Sequence, residues 1–219
     1  MTQTNDIEQL ADQLMAAVLR LDPREQSVAL ALVRMLSHGE PVSEHDVAGE
    51  LGVPHGTIRE TVRSWPGVFR DERDRIIGFM GLSVREFGDH RIELDGRLLT
   101  AWCAWDTLFL PALLEQTARV TSRCPTTGEQ ISMTVGADGP VDVRPDGAVL
   151  SFLAPERPFD AELMESFCHF VHFFASERTA HAWTAHHPGT LILSIDDGYH
   201  LGRQTNETMF GHALSSTQP

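Results

Sequence analysis

Two cysteines and one aspartate stand in strongly apolar surroundings: Cys103 and Asp106 in Ala101-Trp102-Cys103-Ala104-Trp105-Asp106, and Cys168 in Ser166-Phe167-Cys168-His169-Phe170. Thiolates select soft cations, so two separated thiols with one acid suit a two-coordinate soft metal. An aspartate in an apolar segment carries a desolvation cost that raises its pKa, which lets it hold a proton near neutral pH and give it up during a reaction. On a helix, the C-x-x-D spacing places Cys103 and Asp106 on one face. Taken alone, that spacing is better explained by a small buried cysteine beside a capping aspartate.

Cys168 lies in a second apolar run that reads as a strand, with Cys168, Phe170, His172 and Phe174 on one face and His169 on the other. A Cys168–His169 nucleophile pair is therefore disfavoured. A structural zinc site needs four ligands and close C-x-x-C spacing, which the chain lacks. Cys124 sits at a turn near Arg119 and Arg123, positive charges that would lower its pKa, although a structural role suits it better. The eleven histidines follow no H-E-x-x-H pattern and read mostly as surface residues.

The formal net charge is −14, and all 17 basic residues are arginine. With no lysine, Schiff-base chemistry and a P-loop are excluded. An acidic surface repels phosphate backbones and anionic lipids, so neither nucleic acid nor membrane is expected as a partner. The N-terminal stretch is acidic and lacks the apolar run of a secretory signal, and no stretch approaches the roughly 18 apolar residues of a membrane span. Three widely spaced cysteines suit reduced thiols, and the expected location is the cytoplasm.

The elements that must hold these residues can be read in outline. Apolar residues at positions 7, 10, 11, 14, 17, 18 and 21 keep a helical period, and Pro23 opens a second helix ending near Ser37. Ser43 caps a short helix, Gly52 allows a turn, and Pro54 starts a helix carrying Ile58 and Val62. This is a helix-turn-helix pattern. The following segment alternates around a charged turn like the wing of a winged helix.

Residues 1–80 hold 13 acidic residues against 8 arginines, which favours a scaffold or lid over a DNA reader. Asp95-Gly96 suits a tight turn, residues 98–114 a buried helix interrupted near Pro111, and residues 117–149 a hairpin or meander. Ser176 caps a further helix. Residues 191–202 read as strand plus turn, and a short helix starts near Gln204. The expected fold class is α+β: a winged-helix-like domain over 1–80, then a catalytic domain of short antiparallel strands and helices over 81–219.

Several motifs together resemble the organomercurial (alkylmercury) lyases. They are Ala101-Trp102-Cys103-Ala104 with Asp106-Thr107-Leu108, Pro111-Ala112-Leu113, Thr117-Ala118-Arg119-Val120, and Ser166-Phe167-Cys168 with Val171-His172-Phe173-Phe174-Ala175-Ser176. The resemblance spans about residues 95–210 and is looser before that. It implies that Cys103 and Cys168 bind mercury, that Asp106 donates the proton, and that Cys124 is structural. His169 stands where some members carry an additional cysteine.

It further implies cleavage of the carbon–mercury bond of alkyl- and arylmercury compounds to a hydrocarbon and Hg(II). No organic cofactor is needed, and Hg(II) remains bound as product. Low-molecular-weight thiols, or a mercuric reductase, accept the metal. Trp102, Trp105, Phe109, Phe167 and Phe170 are candidates to line a dry pocket, or simply to fill the core. Two other readings compete: a metal-responsive DNA-binding regulator, against which the charge argues, and a cysteine hydrolase, for which no local signature exists.

Overall fold

Turn chemistry and caps divide the chain. The computed structural model describes residues 2–215, with side chains for 7–214. Helix α1 (Thr2–Ala17) ends four residues short of Leu21, the last position of the apolar period. Helix α2 (Pro23–Leu36) begins with a capping box, in which the Asp22 carboxylate accepts from the backbone of Arg24 and Glu25 and the Glu25 side chain accepts from Asp22 N. Such reciprocal capping satisfies amides that have no partner inside the helix.

Ser43 caps α3 (Glu44–Leu51), left-handed Gly52 closes it, and α4 (His55–Ser64) follows Pro54 and buries Ile58 and Val62. These boundaries agree closely with the expectation.

The strands are β1 (Phe69–Arg70), β2 (Ile76–Phe79), β3 (Leu82–Ser83), β4 (Arg91–Leu94) and β5 (Arg97–Ala101). They are followed by β6 (Ala118–Arg123), β7 (Gln130–Gly136) and β8 (Gly139–Arg144), all in one antiparallel sheet of order β1-β2-β3-β5-β4-β6-β7-β8. Asp95 and Gly96, both at positive φ, form the two-residue turn between β4 and β5. A second sheet has the order β10-β9-β11, from β9 (Val149–Leu153), β10 (Phe173–Phe174) and β11 (Thr190–Ser194). The fold is α+β with antiparallel pairing throughout.

Three local expectations are corrected. Residues 97–101 are strand β5, and helix α5 (Asp106–Leu113) begins only at Asp106 and runs through Pro111. The strand is buried toward its end, so its apolar run has no alternation to distinguish it from a helix.

The run around Cys168 is not a strand. It is the short helix α6 (Leu163–Ser166) followed by a 3-10 turn, Cys168–Phe170, and only Phe173–Phe174 pair as β10.

Finally, residues 195–203 are helical. After α7 (Glu177–Thr184), capped by Ser176, helix α8 spans Ile195–Ser215. Gly198 and Gly202 suggested a turn, but tertiary packing keeps them in the helix: a Cβ on Gly198 would come within 2.6 Å of Leu150 and one on Gly202 within 2.6 Å of Phe109. Glycine here lets α8 seat against α5 and β9, offsetting its poor helix propensity.

A single core runs from Leu10 and Leu14 through Leu32 and Leu36 to Phe152, Phe174 and Phe210.

Candidate functional site

Cys103 lies in the turn between β5 and α5, not on a helix. The turn is pinned on both sides. Trp102 N donates to Gly81 O at 2.9 Å, and Ala104 N donates to Val171 O at 3.1 Å, the latter joining the Cys103 turn to the segment after Cys168. At the first residue of α5, the Asp106 carboxylate folds back and accepts from Cys103 N at 2.7 Å, and Thr107 Oγ1 donates to Ala104 O at 2.7 Å. Asp106 is therefore both a turn-closing acceptor and a neighbour of the Cys103 thiol.

The Cys168 turn is anchored from beneath by Ser151 of β9, whose side chain is fully buried. Ser151 Oγ donates to Phe170 O at 2.8 Å and accepts from His172 N at 3.0 Å. These ties bring three residues that are up to 65 positions apart into one cluster: a ligand atom from each of Cys103, Asp106 and Cys168 lies within 4.8 Å of the others, and all three residues are buried. Cys168 and Asp106 line a cavity of about 90 Å3, while Cys103, with no exposure, sits behind them.

The electrostatics follow from burial. Burial pushes the Cys103 thiol well above the ordinary range, helped by its hydrogen bond with Cys168 and the charge of Asp106. Burial likewise raises Asp106 to about 6, against the opposing hydrogen bonds from the Cys103 thiol and amide. At Cys168 the hydrogen bond with Cys103 favours the thiolate, but burial and the Asp106 charge outweigh it, so this thiol also lies high. Thus the thiols hold their protons until a metal displaces them, and the carboxyl can exchange a proton near neutral pH. Two sulfurs facing one another with an acid alongside match a linear soft cation and a proton transfer to a group bonded to it.

The cavity walls are largely apolar. Trp102, Trp105, Phe109 and Phe167 take part as expected, but Phe170 does not: it packs against His169 and His187 instead. Other wall residues had no recognisable chemical signature: Val18 and Leu19 after α1, Phe79, Met80 and Gly81 at the β2–β3 hairpin, Phe159, and Thr205, Asn206 and Met209 of α8. Two hydrogen bonds fix α8 to the α5 region, Trp105 Nε1 to Gly198 O at 2.9 Å and Asn206 Nδ2 to Phe109 O at 3.1 Å.

Cys124 lies outside the trio. Its thiol is lowered, but not by the neighbouring arginines: against burial, which would raise it, act hydrogen bonds from the Thr127 side chain and from the backbone of Ala175, Thr127 and Thr126. Nor are all histidines superficial. His90 is buried, hydrogen-bonded to Ser122 at 2.9 Å, and held to a pKa of about 3 chiefly by burial.

Comparison with known proteins gives a consistent result. The family profile described as alkylmercury lyase matches residues 83–207. An alkylmercury lyase of Staphylococcus epidermidis is 39% identical over 172 residues, covering 78% of each chain. One of Pseudomonas putida is 41% identical over 173 residues, covering 79% of this chain and 80% of its own. A crystal structure of the mercury-bound form of MerB2 superimposes with a TM-score of 0.75 at 25% identity, over 94% of this chain and 99% of that one.

Proposed function

The chain belongs to the alkylmercury lyase family, and from that premise we propose that Cys103 and Cys168 hold the mercury while Asp106 supplies the proton. The enzyme cleaves the carbon–mercury bond of organomercurials, giving a hydrocarbon and Hg(II). The observation that carries the residue assignment is the convergence of the three ligand atoms within 4.8 Å at an apolar cavity.

In the proposed sequence, an organomercurial arrives as its thiol adduct, R–Hg–SR′. One protein thiol exchanges for the incoming thiolate, releasing R′SH and forming a protein–S–Hg–R adduct. Asp106 takes the proton of the second thiol as that sulfur bonds to mercury. Bonding by two thiolates weakens the Hg–C bond, and Asp106 returns the proton to carbon. RH leaves, and Hg(II) stays bridged between Cys103 and Cys168 until two external thiols remove it. The apolar wall excludes water that would otherwise stabilise the carboxylate and keep it from taking up the thiol proton.

The product-bound state is supported by the mercury-bound relative, and low-molecular-weight thiols or a mercuric reductase are the proposed acceptors. No organic cofactor enters this scheme.

Residues 1–80 form, in this reading, a winged-helix-like scaffold or lid for the catalytic part, 81–219. Support comes from the α3–turn–α4 arrangement with its β1–β2 hairpin, and from Val18, Leu19, Pro66 and Gly67 in the cavity wall. Of the two arginines on α4, Arg59 and Arg63, the second is engaged by Glu44 and Asp74, which argues against phosphate binding. No helix among the described residues is long and apolar enough to cross a membrane, and a cytoplasmic enzyme is proposed.

The test is headspace detection of benzene from phenylmercury with excess thiol. Stoichiometric release that repeats over many turnovers is expected. Full activity in Asp106→Ala would remove Asp106 from the proton-donor role.

A further inference from the structure

The hairpin joining β2 and β3 turns through two residues, Met80 and Gly81, both left-handed at φ 49° and 84°. Such turns normally take asparagine, aspartate or glycine, since an ordinary side chain is strained at positive φ. Gly81 has an additional constraint. A Cβ placed on it would lie 2.5 Å from Asp106 Cγ and 2.8 Å from Asp106 Cβ, so the bare backbone of Gly81 is stacked directly on the carboxyl group.

Relief by rotating Asp106 is blocked in two ways. Its Cβ is part of the collision, and its carboxylate is held at 2.7 Å by Cys103 N. The same glycine accepts, through its carbonyl, the hydrogen bond from Trp102 N at 2.9 Å, one residue before Cys103. One residue thus fixes both the backbone entering the thiol turn and the free face of the acid.

We propose that Gly81 is a positioning residue for the proton transfer: its missing side chain and its carbonyl together clamp Asp106 against Cys103 at the angle that points the carboxyl toward the metal-bound carbon. This inference rests on the assignment of Asp106 as proton donor. A displacement on the order of 1 Å in such a group lowers the chemical rate by about 100-fold while leaving binding of the substrate little changed.

The test compares Gly81→Ala with Gly39→Ala. Gly39 has nearly the same φ, 85°, but a Cβ there meets nothing closer than 3.9 Å, so this variant reports the cost of an alanine at positive φ without the collision. The measurements are kcat and KM for benzene release, thermal midpoint, and one-to-one binding of Hg(II). Gly81→Ala is expected to lower kcat at least tenfold with KM nearly unchanged and Hg(II) still bound, whereas Gly39→Ala lowers only the thermal midpoint.

Equal kcat in the two variants overturns the proposal. Should Gly81→Ala be too unstable to assay alone, it is placed in Asp106→Gly, which removes the colliding Cβ together with the carboxyl group. Its thermal cost must then shrink toward that of Gly39→Ala, and an unchanged cost also overturns the proposal. The underlying assignment is judged separately: if Asp106→Ala turns over normally the proton-donor reading fails, whereas an inactive Asp106→Ala beside a fully active Gly81→Ala removes only the clamp.

Discussion

Glu44 and Asp106 are equally withdrawn from water, at 7% and 6% exposure, but their neighbours differ in kind. Around Glu44 the N-terminal region supplies cations: Arg70 at 2.7 Å and Arg63 at 3.3 Å, with Asp74 bridging both arginines in turn. Around Asp106 no cation is within ion-pair distance among the described residues, and its hydrogen bonds come from the amide and thiol of Cys103. The first carboxylate is neutralised where it joins secondary structures. The second is left uncompensated where the proposed mechanism moves a proton. Burial alone therefore does not mark a functional acid; burial without a countercharge does.

The sharpest way to break this contrast is at the sulfurs. Cys103→Ala or Cys168→Ala is expected to remove benzene release by on the order of 10³-fold or more, because no single thiolate can both hold and activate the metal. Retention of turnover by either variant would dissolve the proposed pair.

Next in size is Asp106→Asn. It should lower kcat by about 10²–10⁴-fold while Hg(II) binding persists. The same substitution should raise stability, since it removes a buried, unpaired charge. The sign follows from a folded pKa of about 6, above the ordinary 3.8. The charge penalty on the native enzyme is complete above about pH 6, declines as the pH falls toward 3.8, and is gone below it. Thermal midpoints of the two proteins should accordingly differ most at pH 8 and converge near pH 4. A constant gap would contradict the raised pKa.

The smallest effect is expected on the other side of the comparison. Glu44→Gln should cost about 1–2 kcal/mol of folding stability, as two arginines lose a shared partner, and should leave kcat within about twofold. Urea titration and benzene release measure the two quantities. A loss of activity as large as that of Asp106→Asn would erase the distinction between the regions.

The parts of the fold that could be read from sequence were those with local chemical causes. The start of α2 at Pro23, the caps at Ser43 and Ser176, the left-handed Gly52 and the Asp95-Gly96 turn are set by residues within four positions of one another. The parts that could not be read were set by distant contacts. The turn that carries Cys168 is held by Ser151, which captures Phe170 O and His172 N, and α8 keeps two glycines because Leu150 and Phe109 occupy the space beside them.

The site trio was recognisable by motif, but its local geometry was not. The C-x-x-D spacing works through a turn closed by the aspartate, where a helical face was expected. Gly81 had one visible signal, a glycine between two apolar strand segments, but nothing in its local sequence linked it to Asp106.

Of the two thiols, only Cys168 reaches the cavity wall, and Cys103 lies wholly behind it. The consequence is a filter on electrophiles. A haloacetamide that enters meets one sulfur and has no second bond to make. A soft metal bonded to Cys168 can still take another ligand, and the hidden sulfur lies within 4.8 Å of the first. Concealing one ligand thus makes the pocket discriminate by coordination number, favouring reagents that can be bonded twice over those that react once and stop.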